Sequence, residues 1–177
     1  MKIKDSLKFW GVWEIEHWRR GVLAGHPKKD RVLLARFRQK NIVVDEGINY
    51  ILNAGFSNGG PIGTWYVATF EGNYIPLSTD TAATFPASST ETTAYDEVSR
   101  PEYEEATSTA KSITNAANRA TFTYNANKTI YGASLHSVAT KAAITGVLAA
   151  AARFANPRIV IPTDQLLVSY TINASSA

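Results

Sequence analysis

Gln165-Leu166-Leu167-Val168-Ser169-Tyr170-Thr171-Ile172 sets the fold class of this chain. Leu166, Val168, Tyr170 and Ile172 take alternate positions, with Gln165, Leu167, Ser169 and Thr171 between them. Side chains on a strand alternate with a period of two, so the segment predicts a strand with one apolar face. Pro162-Thr163-Asp164 before it is a turn, and Ile159 to Ile161 is a further strand. Arg119 to Tyr124 and Thr129 to Leu135 are two more, and Asn125-Ala126-Asn127-Lys128 between them predicts a hairpin. Thr64-Trp65-Tyr66-Val67-Ala68-Thr69-Phe70 is rich in aromatic and β-branched residues and closes at Gly72.

Nearer the N-terminus, Trp10 to Trp18 alternates with Trp13, Ile15 and His17 on one face and Glu14, Glu16 and Trp18 on the other. Arg19-Arg20-Gly21 is expected to turn the chain, with Gly21 at positive φ and the return starting at Val22-Leu23. Gly25 to Asp30 is a polar loop, and Arg31 to Arg38 is a second strand. Asp45 and Glu46 precede Ile48, Ile51 and Leu52, the spacing of an apolar helical stripe with carboxylates at its N-terminus, and Gly55 is a stop. This is the one helix expected.

Asn73 to Thr93 is a long Ser/Thr/Ala/Pro segment in which Ile75, Leu77 and Phe85 are too sparse to offset the cost of ordering it, so contact with another subunit is expected to order it. The pattern is mainly β: an antiparallel β-sandwich or jelly-roll-like domain with an N-terminal strand-rich arm and one short helix. Ser57-Asn58-Gly59-Gly60-Pro61 marks the division, with residues 1–60 a basic, Trp-rich hairpin arm carrying the helix and residues 61–177 a sandwich able to close its own core.

With 177 residues, 45% hydrophobic and 19% charged, the chain has room for one sizeable core. It has no cysteine, which excludes thiolate catalysis, Cys-ligated metals and disulfide stapling. Met1 to Trp13 carries Lys2, Lys4, Asp5 and Lys8 and lacks the apolar run of a signal peptide. The most apolar stretch, Val147 to Ala152, is soon broken by Arg153 and Pro157, so no membrane span is expected and a soluble protein made in a cytoplasm is.

Asp96, Glu97, Glu102, Glu104 and Glu105 form the densest acidic run, but Arg100-Pro101 interrupts it and no central glycine gives it the form of a calcium loop, so a solvated face is expected. His17, His26 and His136 lie far apart with no paired ligand spacing. His136 and Ser137 are strand neighbours that point to opposite faces, and no nucleophile elbow, phosphate loop or dinucleotide fingerprint occurs. No catalytic residue, cofactor or metal is expected, and the chain does not read as an enzyme.

Residues 1–60 hold 11 Lys and Arg against 6 Asp and Glu, while residues 61–177 hold 7 against 9. Phosphate contacts with aromatic stacking would suit such a basic, Trp-rich segment, but two glutamates interleave its tryptophans and the excess is modest. Arg and Trp are enriched at the anchors of protein interfaces, so a protein-facing surface is favoured over a plain solvated basic face with core tryptophans and over nucleic acid. Its candidate residues are Trp10, Trp13, Trp18, Arg19, Arg20, Lys28, Lys29, Arg36 and Arg38.

Trp13-Glu14-Ile15-Glu16, Asn41 to Gly47 with Tyr50-Ile51-Leu52, Thr64 to Val67, Arg100-Pro101, Ser112 to Asn115, Thr121 to Asn125, Ile130 to Ala133, Gly146-Val147-Leu148 with Ala152-Arg153-Phe154, and Asp164 to Thr171 together resemble small virion structural proteins of tailed bacteriophages. The likeness runs from Trp10 to Ile172. It implies a virion location and assembly rather than catalysis, as a capsid decoration (cement) protein or a neck or tail/head-fibre attachment protein. The partners implied are the major capsid protein or other virion proteins, and further copies of the chain in a homo-oligomer. A cement subunit bridges capsid neighbours, which suits a compact β domain with a basic aromatic arm. A carbohydrate-binding β-sandwich is the alternative outside this class, with Trp65 and Tyr66 as stacking surfaces.

Overall fold

The computed structural model describes residues 7–176, so Lys2, Lys4 and Asp5 of the opening segment lie outside it. The chain is mainly β, 45% strand against 12% helix. In chain order the elements are β1 (Leu7–Arg20), a 3-10 turn (Gly21–Ala24), β2 (Arg31–Lys40), β3 (Ile42–Val43), α1 (Asp45–Phe56), β4 (Tyr66–Phe70) and α2 (Phe85–Ser89). They continue with β5 (Ser112–Thr114), β6 (Ala120–Thr123), β7 (Lys128–His136), β8 (Leu148–Val160) and β9 (Gln165–Ser176). One antiparallel sheet has the order β2-β1-β9, with β5 and β6 sharing the far edge of β9; the other has the order β3-β8-β7-β4. The expected antiparallel sandwich forms; the strand order does not single out a jelly roll.

β9 organises the five-stranded sheet. It pairs with β1 from Leu7↔Ser176 to Trp18↔Gln165, and on its other edge with β5 and β6. Its alternating Leu166, Val168 and Tyr170 are buried, and they meet Val67, Ile130, Leu135 and Phe154 of the opposite sheet in one apolar cluster. Trp13 stacks on Tyr170 with ring centroids 4.1 Å apart. The Tyr170 ring also lies over Gly11, where any Cβ would overlap it, and its hydroxyl accepts a 2.6 Å hydrogen bond from Asn41.

The first sixty residues, expected as an arm, are woven into the sandwich. β1 lies between β2 and β9, and its Trp13 and Ile15 are fully buried in the main cluster, so residues 61–177 do not fill that core alone. The turn also differs from expectation: β1 runs to Arg20, the return starts at Arg31, and the positive φ belongs to Gly25. Gly21 is required for a different reason, since a Cβ there would strike the Lys29 and His26 carbonyls. The hairpin expected at Asn125 to Lys128 is a corner between sheets, because β6 pairs with β9 whereas β7 pairs with β8.

The Asn73 to Thr93 segment is packed by its own chain. Phe85, at the head of the unexpected α2, joins Val44, Phe70, Ala82, Leu148 and Ala151 in a second cluster. Glu46 at the start of α1 accepts hydrogen bonds from the backbone N–H groups of Ala82 (2.8 Å) and Leu148 (2.7 Å), tying helix, segment and β8 together. Tyr74 donates to Asp80 at 2.8 Å, and Asp80 also receives the Leu77 N–H. Ile75 and Leu77 remain exposed.

Candidate interaction surface

At the tip of the β1–β2 hairpin the backbone makes its own hydrogen bonds: Gly21 N–H to the Asp30 carbonyl, His26 N–H to Gly21 and Lys29 N–H to His26. The tip is therefore shaped without help from the rest of the chain. What it presents outward is mixed. Val22 and Leu23 are 66% and 51% exposed, and Arg20, His26, Lys28 and Lys29 are exposed around them. Among the described residues, Arg20, Lys28 and Lys29 have no carboxylate within ion-pair distance.

The other candidate interface residues divide by the face of β1 on which they stand. Trp13 points into the core and is unavailable to a partner. Trp10 is 43% exposed; Trp18 is half-buried and donates its indole N–H to Glu16 at 2.8 Å. Arg38 donates to Glu14 at 2.8 Å, while Arg36 and Arg119 both pair with Glu16. Burial pushes the Glu16 carboxyl up, but the hydrogen bonds from Arg119, Trp18 and Arg36 outweigh it and hold the group below the ordinary carboxylate value. Trp10, Trp18, Arg36 and Arg38 thus share the outward face of the sheet, whereas Arg20, Lys28 and Lys29 gather at the hairpin tip.

Arg19 belongs to neither group. Its guanidinium grips the fully buried Asp164 with both Nε (2.9 Å) and Nη2 (2.7 Å). Asp164 also accepts from the Ile161 N–H at 3.1 Å and lies 2.9 Å from Nε2 of the buried His17. Burial pushes the Asp164 carboxyl up, and the hydrogen bonds from Arg19, His17 and Ile161 bring it below its usual value. Burial lowers the His17 imidazole, and Arg158 and Arg19 add to that against the pull of Asp164. These groups saturate one another and fasten the turn between β8 and β9. Arg19 is a structural residue.

Ser134 and His136, two apart on β7, share a face and approach to 2.9 Å, a pairing that the adjacent His136 and Ser137 concealed. Both are 1% exposed, so the contact is a core hydrogen bond out of reach of a substrate. Within the acidic run, Glu97 accepts from the Thr123 N–H while Asp96, Glu102, Glu104 and Glu105 face solvent. Arg100 inside that run is buried against Glu91 and donates to the Val138 and Ala143 carbonyls. Trp65 is half-buried with Tyr50 packed edge-on at 5.2 Å, which leaves it a poor platform for a sugar.

No protein-family model matches the chain, and no curated protein does. At the hairpin tip, exposed apolar side chains and cations without an ion-pair partner among the described residues stand together on a hydrogen-bonded backbone. Among the described residues no helix is long and apolar enough to cross a membrane. Nothing in the sequence marked Val22 and Leu23 as exposed, because a short apolar pair after a glycine reads equally as the first residues of a returning strand.

Proposed function

We propose that the protein is a non-enzymatic structural component of a tailed-bacteriophage virion, a capsid decoration (cement) subunit that holds neighbouring major capsid proteins through the tip of its β1–β2 hairpin. The observation that carries this reading is the tip itself, where Val22 and Leu23 are exposed between Arg20, Lys28 and Lys29. Exposed apolar side chains on a tip that carries Arg20, Lys28 and Lys29 against the one carboxylate Asp30 fit a partner with an apolar depression and an acidic rim. The chain-long resemblance to virion proteins supplies the setting, and the Arg19–Asp164 contact ties the base of the hairpin to the turn before β9.

The test is occupancy on particles. Replacing Arg20, Lys28 and Lys29 together by Glu should strip the protein from virions while its thermal midpoint stays within about 2 °C, since exposed charges contribute little to stability. Arg19 is left intact because it holds Asp164. Binding of the unmodified protein should also weaken as salt rises, exposed charges being screened over about 8 Å at physiological ionic strength. Unchanged occupancy of the triple variant overturns the assignment of the tip.

A further inference from the structure

The outward face of the five-stranded sheet holds a cleft of about 420 Å³ lined by Val12, Glu14, Arg38, Ser169, Thr171 and Asn173. Trp10 stands beside it, two residues before Val12 on the same face and directly opposite Asn173 in the β1–β9 ladder. Trp10 is 43% exposed, just beyond the end of the β1–β2 pairing at Val12. Hydrogen bonds already orient part of the lining: Arg38 Nε to Glu14 at 2.8 Å and Thr114 to Thr171 at 2.8 Å. The Ser169 hydroxyl, the Asn173 amide and the terminal nitrogens of Arg38 make no hydrogen bond to other described side chains.

We propose that this cleft binds a neutral carbohydrate, with Trp10 as the stacking platform and Asn173, Ser169, Arg38 and Glu14 as the groups that read its hydroxyls. A pyranose offers an apolar face of C–H bonds and a rim of hydroxyls that both donate and accept. The negative face of an indole suits the C–H bonds, and the amide, hydroxyl, guanidinium and carboxylate supply the donors and acceptors. Charge does not exclude a neutral ligand. Arg36, Arg38 and Arg119 each ion-pair with Glu14 or Glu16, so an anion would have to compete with two carboxylates for these guanidiniums, in contrast to the unpaired cations of the hairpin tip. Trp10 and the four readers are all on strands, which limits the ordering cost of binding.

The site is independent of the attachment reading. Ten residues of strand separate Trp10 from Arg20, roughly 33 Å at about 3.3 Å per residue. The chemistry is the same for a free oligosaccharide and for a surface polysaccharide, and a soluble panel followed by cells or cell-wall extracts bearing the hit separates the two.

The full chain is titrated with maltohexaose, cellohexaose, mannohexaose and N-acetylchitohexaose, followed by calorimetry and by NMR of the Trp10 indole and Asn173 side-chain amides. At least one sugar should bind and move both signals. Trp10→Ala and Asn173→Ala should each weaken it about tenfold or more, Trp10→Phe less than Trp10→Ala, and Trp65→Ala not at all; circular dichroism checks that each variant is folded. The proposal is overturned if no sugar in the panel binds, if binding survives Trp10→Ala, or if only a sulfated oligosaccharide binds and does so through Lys28 and Lys29. A protein partner that protects this face while no sugar does would equally overturn it.

Discussion

Asp164 shows how a single carboxylate can hold a sandwich together. It is fully buried, yet it accepts from Arg19, His17 and the Ile161 N–H and so joins β1 to the turn between β8 and β9. Removing one partner of such a group leaves a buried charge without compensation, which costs about 3–5 kcal/mol. Arg19→Ala, which leaves the buried Asp164 without its guanidinium, should therefore lower the thermal midpoint by on the order of 10 °C, as differential scanning calorimetry would show. A midpoint within about 2 °C of the parent would mean the network contributes nothing. Trp13→Ala should cost a similar about 3–5 kcal/mol by opening a cavity beside Tyr170, measured as a lower urea midpoint. Trp13 was legible as one of a strand's alternating residues, but the partner that buries it, 157 positions later in the chain, was not. Asp164 read only as a turn residue, because its role comes from residues that the fold alone brings near it.

The strands expected at Trp10 to Trp18, Arg31 to Arg38 and Gln165 to Ile172 form within the longer β1, β2 and β9, and the inward residues of β1 and β9 are buried as their alternation predicts. β8 was different. Leu148 to Ala155 is largely alanine, a residue with weak preference for strands, and the partners in β7 and β3 make it one. Asn125 to Lys128 reversed the chain as expected, but turn chemistry says nothing of which sheet receives the next strand. The Asn73 to Thr93 segment shows the same limit. Phe85 and Ala82 anchor it in the second cluster, together with a hydrogen bond from the Ala82 N–H to Glu46 that no local pattern reveals. In the isolated protein the amides of Ala82, Phe85 and Thr92 should therefore exchange slowly, as hydrogen exchange with mass spectrometry would detect. Rapid exchange there would restore the view that another subunit must order the segment.

Acid should loosen the whole molecule. His17 and His136 are held below the ordinary imidazole value of 6.5, in both cases chiefly by burial. Above 6.5 they are neutral whether the chain is folded or not; below it the unfolded chain takes up protons that the folded one refuses, so stability falls as pH drops toward the folded values. Asp164 and Glu16 add to this at lower pH, their depressed values giving stability that is present above the ordinary carboxylate range and lost as pH falls through the folded values. The urea midpoint should decline from pH 7.5 to 5.5 and further by pH 4; a flat profile would contradict the neutral buried histidines.

The protein is a sandwich with a basic, apolar-tipped hairpin at one end of β1 and, toward the other, a polar cleft with Trp10 beside it. Its proposed place in the virion sets how many copies a particle must hold. Quantitative mass spectrometry of purified virions, normalised to the major capsid protein, measures this directly. A cement subunit should be present in hundreds of copies, on the order of one for every few capsid subunits, and about a dozen or fewer would move it to the neck or fibres. Its absence from the particles would contradict the assignment to the virion.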